Sequence, residues 1–316
     1  MNKAKKTLSV ENVAKAIFIL CGAVAVFAVL SITVYMIARG APALKEVGVP
    51  ELLFGTEWKP TAADPSFGIA YIIASSIVGT AMSVLIGVPV GLLTAVFLAE
   101  LAGKRTAGIV QPAVELLAAV PSVIYGLLGM MLLNPAIYKL EKMIFAGSTT
   151  HQFTGGADML AAILVLAVMI LPTIITVSTS SLKAVSDDLR AASLALGASR
   201  IQTIFRVVIP AARSGIMTGV VLGIGRAIGE AMAINMVAGG SVNLPLPFNS
   251  VRFLTTQLVS EMSYAEGTHR RVLFTVGLVL YIFIMAINLI LMKMKTAGTD
   301  KEKAPVRKRK GETAHE

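Results

Sequence analysis

From Ala16 to Ile37 the chain runs for 22 residues without a charged side chain. About 20 helical residues cross the hydrocarbon layer of a bilayer, where every backbone N–H and C=O must find its partner within the chain. Such a run can only fold as a helix. Five further apolar runs follow, at 68–98, 109–133, 158–181, 215–239 and 272–292. The sequence predicts an all-α integral membrane protein with six spans. Composition agrees, since 15% of the 316 residues are charged, against about 25% in soluble domains. Lys3, Lys5, Lys6 and Lys15 precede the first run as in a signal peptide, but the apolar part of such a peptide ends at about 15 residues, so the run is read as an uncleaved span. Pro89 is expected to kink the second run, Pro172 lies within the fourth, and Pro112 and Pro121 interrupt the third.

The net charge of +10 raises the question of nucleic acid. Its distribution answers against it, because the charges lie in the tails and at the borders of the apolar runs. Nineteen of the 28 Lys and Arg fall in residues 1–15, the 99–108 loop, the 182–213 loop and the tail 293–316. Eight fall in the three loops opposite, and Arg226 lies inside the fifth run. The side with nineteen is expected to be cytoplasmic, which places both termini of a multi-pass cell-membrane protein there. The basic tail from 293 is expected to be disordered. Cys21 is the only cysteine, so no internal disulfide exists.

Between the fourth and fifth runs stands a mostly polar island, Ser186 to Pro210. Leu189, Ala192 and Leu196 share one helical face, and Ser186, Asp187 and Asp188 place a cap and negative charge at its start. Gly197 suits a left-handed stop. Ser199 and Gln202 have capping-box spacing, and Ile201, Phe205 and Val208 share the next face. Pro210 lacks the donor that a continuing helix needs. Two short amphipathic helices with an elbow between them exceed what a connection requires and suit docking to another protein.

The spacing of this island resembles the coupling loop of ABC importer permeases, written EAA, three residues, G, nine residues, I, one residue, LP. Ala191, Ala192 and Ser193 stand at the EAA positions, Gly197 follows at the right distance, and Val207, Val208, Ile209 and Pro210 complete the pattern. Ala191 replaces the leading Glu, and Asp187 or Asp188 is the candidate to make an ionic contact in its stead.

The second informative stretch is GIGRAIGEAMAINMVAGG in the fifth run. Arg226 and Glu230, four apart, are expected on one helix face, thinned by Gly223, Gly225 and Gly229. Ionisable groups inside a membrane line a cavity or pair with each other. The residues alone leave two readings level, a packing ion pair and an anion path. Ser122 and Tyr125, beside the break at Pro121, are further candidates for a hydrophilic path.

RAIGEAMA, residues 226–233, resembles the corresponding segment of phosphate permeases and, more loosely, of sulfate and molybdate permeases. GTEWKP at 55–60, FGIAYII at 67–73, GVPVGLLTAVFLAEL at 87–101 and PSVIYGLLGM at 121–130 resemble the C-type permeases of phosphate-specific transport systems. The resemblance covers residues 15–292. It implies a six-transmembrane-helix permease working with a sister permease, two ATP-binding subunits and an extracytoplasmic phosphate-binding protein. It also implies ATP and Mg bound by those partners rather than here. In keeping with this, the chain has no G-x-x-x-x-G-K-[ST] sequence, so it is not expected to be an enzyme by itself.

Rival readings are a sulfate or molybdate permease, an ATP-independent secondary transporter and a membrane scaffold. The secondary transporter should show inverted repeats with paired broken helices, which are not evident. The scaffold has no account of Arg226. His151 and His269 lie in loops without a second ligand at metal spacing and are read as solvated, and the methionines as packing.

Overall fold

The computed structural model describes residues 2–300. Helix α1 (Asn2–Glu46) leads into the short α2 (Val49–Phe54) and a two-stranded antiparallel hairpin, β1 (Trp58–Lys59) and β2 (Ser66–Phe67), in which Trp58 faces Phe67. Helix α3 (Ala70–Val96) continues through a π-helical turn, Phe97–Leu101, and is followed by α4 (Lys104–Ala119). Next come α5 (Ser122–Leu128), a π-helical turn at Gly129–Leu133, and α6 (Asn134–Ile144), then the long α7 (Met159–Lys183). The elbow comprises α8 (Asp187–Ala195), α9 (Arg200–Thr203), a π-helical turn at Ile204–Val208, and α10 (Ile209–Ala211). The chain closes with α11 (Arg213–Gly229), α12 (Met232–Val237), α13 (Leu254–Glu261) and α14 (Gly267–Asp300).

Five helical stretches are long and apolar enough to cross a membrane: Glu11–Glu46, Ala70–Leu101, Ser122–Ile144, Met159–Lys183 and Gly267–Lys293. The sixth span comes from α11, joined to Arg200–Ala211 through a bend of 70°. The described residues divide into two compact units, one of 2–70 with 257–282, the other of 71–256 with 283–300.

In the second unit α7 is the central post. Its buried side chains include Leu166, Met169, Ile170 and Ile174. Small residues at intervals of four bring two helices close to it. A Cβ on Gly87 or Gly91 of α3 would collide with Ile170 or Ile174, and one on Gly219 or Gly223 of α11 would press on Val177 or Ile174. In a bilayer, where lipid tails are as apolar as leucine, such close approach is what gains packing energy between helices. Ser83 adds polar glue, its Oγ donating to Gly79 O at 2.6 Å and lying 3.1 Å from Ile163 O on α7.

Three boundaries differ from the sequence expectation. The third span is not 109–133 but Ser122–Ile144. Val120, before a proline, is extended (ψ 126°) and Pro121 has no N–H, so α4 ends at Ala119 as a separate helix. Residues 134–144, expected in a loop, continue the span. The fifth span breaks at Glu230, whose ψ of 129° ends α11. At the C-terminus, residues 293–300 are helical, while the rest of the expected disordered tail lies outside the described residues.

Both loop histidines also differ from expectation. His151 Nε2 lies 2.8 Å from Oε1 of Glu141, which is fully buried, and its ring stacks on Phe145 at 3.8 Å. His269 Nε2 lies 2.8 Å from Glu261 Oε2, and Trp58 Nε1 donates to both oxygens of that glutamate at 3.1 and 3.0 Å. A buried carboxylate is costly unless several donors surround it. That need, invisible as spacing, draws each histidine inward.

Candidate functional site

Two places carry the chemistry, both in the unit of 71–256. The first is the elbow. Gly197 sits at φ +84°, the left-handed conformation that ends α8, and an added Cβ there would meet no neighbour within 4 Å. The requirement at this position is therefore one of backbone angle and not of space. Ser199 and Gln202 form the expected capping box: Gln202 N donates to Ser199 Oγ at 3.2 Å and Ser199 N donates to Gln202 Oε1 at 2.9 Å. Ser186 occupies the N-cap of α8 but its side chain makes no capping bond. Ser193 and Thr203 join the two helices through their hydroxyls at 2.9 Å. Ile209 and Pro210 form α10, where the chain turns into α11.

Helix α8 buries none of its residues; Ala191 and Ala192 are exposed, Leu196 is 89% exposed, and Ile201 and Phe205 on the second helix are 66% and 54% exposed. Val208 faces inward instead, against Ala95, Leu182 and Ile204. The elbow thus sits on the ends of α3 and α7 by one edge and presents apolar side chains on the other.

The residue that sequence reasoning missed here is Glu100, in the π-helical turn after α3. Arg190 Nη2 donates to its Oε1 at 2.7 Å and to Leu182 O at 2.9 Å, and Arg190 also bonds Val185 O. Arg200, on the second helix, donates to the Glu100 backbone carbonyl. One acidic residue thus holds both helices of the elbow. Its carboxylate raises the Arg190 guanidinium above its ordinary pKa. Asp187 does reach Arg190, at 3.2 Å, but is itself 99% exposed, and no ion pair of Asp188 occurs among the described residues. The available signal was a lone acid at the end of an apolar run.

The second place is the break in the fifth span. One face of α11 packs on α7. The opposite face, with Leu222, Gly225, Arg226 and Gly229, is open, and an added Cβ on Gly225 or Gly229 would touch nothing. Arg226 is half-buried and, among the described residues, makes neither a hydrogen bond nor an ion pair. Glu230 does not pair with it, contrary to the expectation of one shared helix face. Because α11 ends at Gly229, the Glu230 carboxylate turns forward and its Oε1 accepts from Ala233 N at 2.9 Å, at the start of α12. Backbone donors there are unpaired by the helix itself, and a carboxylate suits them. Thr255 Oγ1 pins the break by donating to Glu230 O at 2.7 Å.

Tyr125 is buried, and its hydroxyl donates to Leu117 O at 2.7 Å. Pro121 would, as any other residue, have donated to that carbonyl; the phenol supplies the bond that proline cannot. Ser122 is half-buried at the start of α5. Helix α5 lies tightly on α12, with a Cβ at Gly126 falling 2.8 Å from Ala233 Cα. The structure so brings Tyr125, Arg226 and the Glu230 break into one neighbourhood, with only the guanidinium uncommitted.

Comparison with known proteins bears on this arrangement. A family model described as the inner membrane component of binding-protein-dependent transport systems matches residues 87–297. The probable ABC transporter permease protein YqgH of Bacillus subtilis (strain 168) is 37% identical over 284 residues, 87% of this chain and 89% of that protein. The phosphate transport system permease protein PstC of Xylella fastidiosa (strain Temecula1) is 31% identical over 285 residues, 87% of each. Among solved structures, a bacterial alginate ABC transporter bound to its alginate-loaded periplasmic protein superposes with a TM-score of 0.59 at 17% identity, over 85% of this chain and 93% of that one, a likeness of fold. With its six spans and its elbow of EAA type, the chain belongs to the family of inner membrane components of binding-protein-dependent transport systems, the permeases of ABC importers.

Proposed function

We propose that this permease imports inorganic phosphate, lining the path together with a sister permease. The observation that carries the reading is Arg226, a guanidinium inside a membrane span that pairs with no carboxylate among the described residues, Glu230 being turned to Ala233 N. Phosphate near neutral pH is an anion that must shed water to pass a narrow path, and a bare anion in low dielectric is strongly disfavoured. A planar fork of donors with a permanent charge replaces that water. The likeness to phosphate permeases over most of the chain supports the same solute.

In this reading an extracytoplasmic binding protein delivers phosphate, and two ATPase subunits, which hold ATP and Mg, dock on the exposed side chains of the elbow. Ala191, Ala192, Ser193 and Gly197 shape the docking surface. ATPase closure pushes the elbow, and the 70° bend passes that motion into the span that carries Arg226.

Radiolabelled phosphate uptake tests it. Arg226→Gln keeps a donor and loses the charge; uptake should fall by about 100-fold or more, while complex abundance in the same membranes is unchanged. Arg226→Lys, which keeps the charge without the fork, should retain part. Full uptake by Arg226→Gln would overturn the role.

A further inference from the structure

The unit of 2–70 with 257–282 holds a second cationic place with no part in the path. At the C-terminal end of α1 and the start of α14, a cavity of about 430 Å³ is lined by Tyr35, Arg39, Pro42, Arg270, Arg271 and Phe274. The volume lies in the range of organic-ligand sites. Arg39 stands over the Tyr35 ring, 5.5 Å from its centroid, and Tyr35 meets Phe274 edge to face at 5.6 Å. Arg271 Nη2 donates to Glu46 Oε2 at 2.7 Å and to Thr268 Oγ1 at 2.8 Å, while its buried Nε has no partner. Among the described residues no side-chain hydrogen bond or ion pair engages Arg39 or Arg270, and both are exposed. Glu46 therefore offsets one of three guanidinium charges.

Two unneutralised arginines beside an aromatic shelf call for an anion with an apolar body. Both helices are membrane spans, and the cavity lies where they end, at the depth of lipid headgroups. The α1 surface leading away from it toward the span centre is apolar and open, with Val34 65% and Ile37 46% exposed. We infer that this cavity binds the phosphodiester headgroup of an anionic phospholipid, with Arg39 and Arg270 on the phosphate, Tyr35 and Phe274 against the glycerol, and the acyl chains along α1. Arginine forks match the oxygens of a phosphodiester in charge and geometry. A free phosphate ion would satisfy the same donors but would leave the aromatic shelf and the open apolar face of α1 unused.

Native mass spectrometry of the detergent-purified protein, with whatever subunits accompany it, tests the assignment. Added phosphatidylglycerol should be retained as a discrete adduct and phosphatidylcholine should not. The double variant Arg39→Gln/Arg270→Gln should hold phosphatidylglycerol roughly 30-fold less well, each arginine contributing one surface-scale charge contact. Arg105→Gln, an exposed arginine elsewhere, should retain it fully. Millimolar inorganic phosphate should not displace the lipid. Equal retention by the double variant, equal retention of phosphatidylcholine, or displacement by inorganic phosphate would each overturn the inference. Size-exclusion profiles matching the parent protein ensure that a loss reports the site and not the fold.

Discussion

At the scale of single residues, the carboxylates of Glu230 and Asp158 are committed to helix starts before any solute arrives. Glu230 caps α12, so its substitutions should separate capping from charge. Glu230→Gln keeps an acceptor for Ala233 N and should leave thermal stability close to that of the parent; Glu230→Ala removes it and should cost about 0.5–2 kcal/mol, the range for a lost side-chain acceptor at a helix start. Equal melting temperatures for the two variants in detergent would remove the capping role. Asp158 offers a pH-dependent counterpart. Its Oδ1 accepts from Ala161 N at 2.9 Å to cap α7, yet burial and the nearby Glu141 carboxylate push it up to about 6. A folded pKa above the ordinary carboxylate value means that the folded state takes up a proton that the unfolded chain still lacks. The site therefore gains stability as pH falls through 6 toward the ordinary carboxylate value. Comparison with Asp158→Asn, which keeps the cap, isolates the aspartate: the rise in melting temperature between pH 7.5 and 5 should shrink in the variant.

At the scale of elements, both helices of the elbow are tied to Glu100, through Arg190 and Arg200. Arg190 and Glu100 are 20% and 10% exposed, so this pair is partly desolvated and breaking it should cost about 2 kcal/mol or more. Glu100→Gln and Arg190→Gln should each lower thermal stability and reduce copurification of the ATPase. Their effects should not add, with a coupling of about 1–3 kcal/mol in the double-mutant cycle. Additive losses would mean that Arg190 works mainly through the carbonyls of Leu182 and Val185. Local order in the elbow was legible in advance because caps, a left-handed glycine and apolar faces are short-range signals. Glu100 was not, since its partners lie 90 and 100 positions away. The same limit explains the shared face expected of Arg226 and Glu230. Helical spacing presumes an unbroken helix, and what ends α11 is a threonine 25 positions on, bonded to the Glu230 carbonyl. The third span was misplaced for a related reason. Residues 109–119 are apolar enough to be counted, but Pro121 divides them from the rod that runs on through Ile144.

For the whole molecule, the revised spans leave the parity intact. Helix α4, of 16 residues, is not among the helices long and apolar enough to cross, so in the proposed topology Lys104 and Arg105 stay on the same side as the elbow. In the proposed topology Lys139 and Lys142, near the end of the third span, still count among the eight of the opposite loops. The imbalance of nineteen Lys and Arg against eight is therefore unchanged by the structure. Positive charge near span ends is retained in the cytoplasm, so the proposed orientation puts the elbow where ATP is and the hairpin outside. Single cysteines test it. Native Cys21 lies inside the first span and is first replaced by Ser. Lys59, 60% exposed in the hairpin, and Arg105, exposed at the start of α4, are then changed to Cys one at a time. A membrane-impermeant thiol reagent should label Lys59→Cys in cells with an intact inner membrane, and should label Arg105→Cys only after that membrane is opened. Labelling of both in closed cells would break the six-span parity, because an even number of crossings would then separate positions 59 and 105 in place of the single span Ala70–Leu101. The reverse pattern would keep the parity and invert the molecule, leaving the elbow on the side without ATP and removing the basis for ATPase docking there.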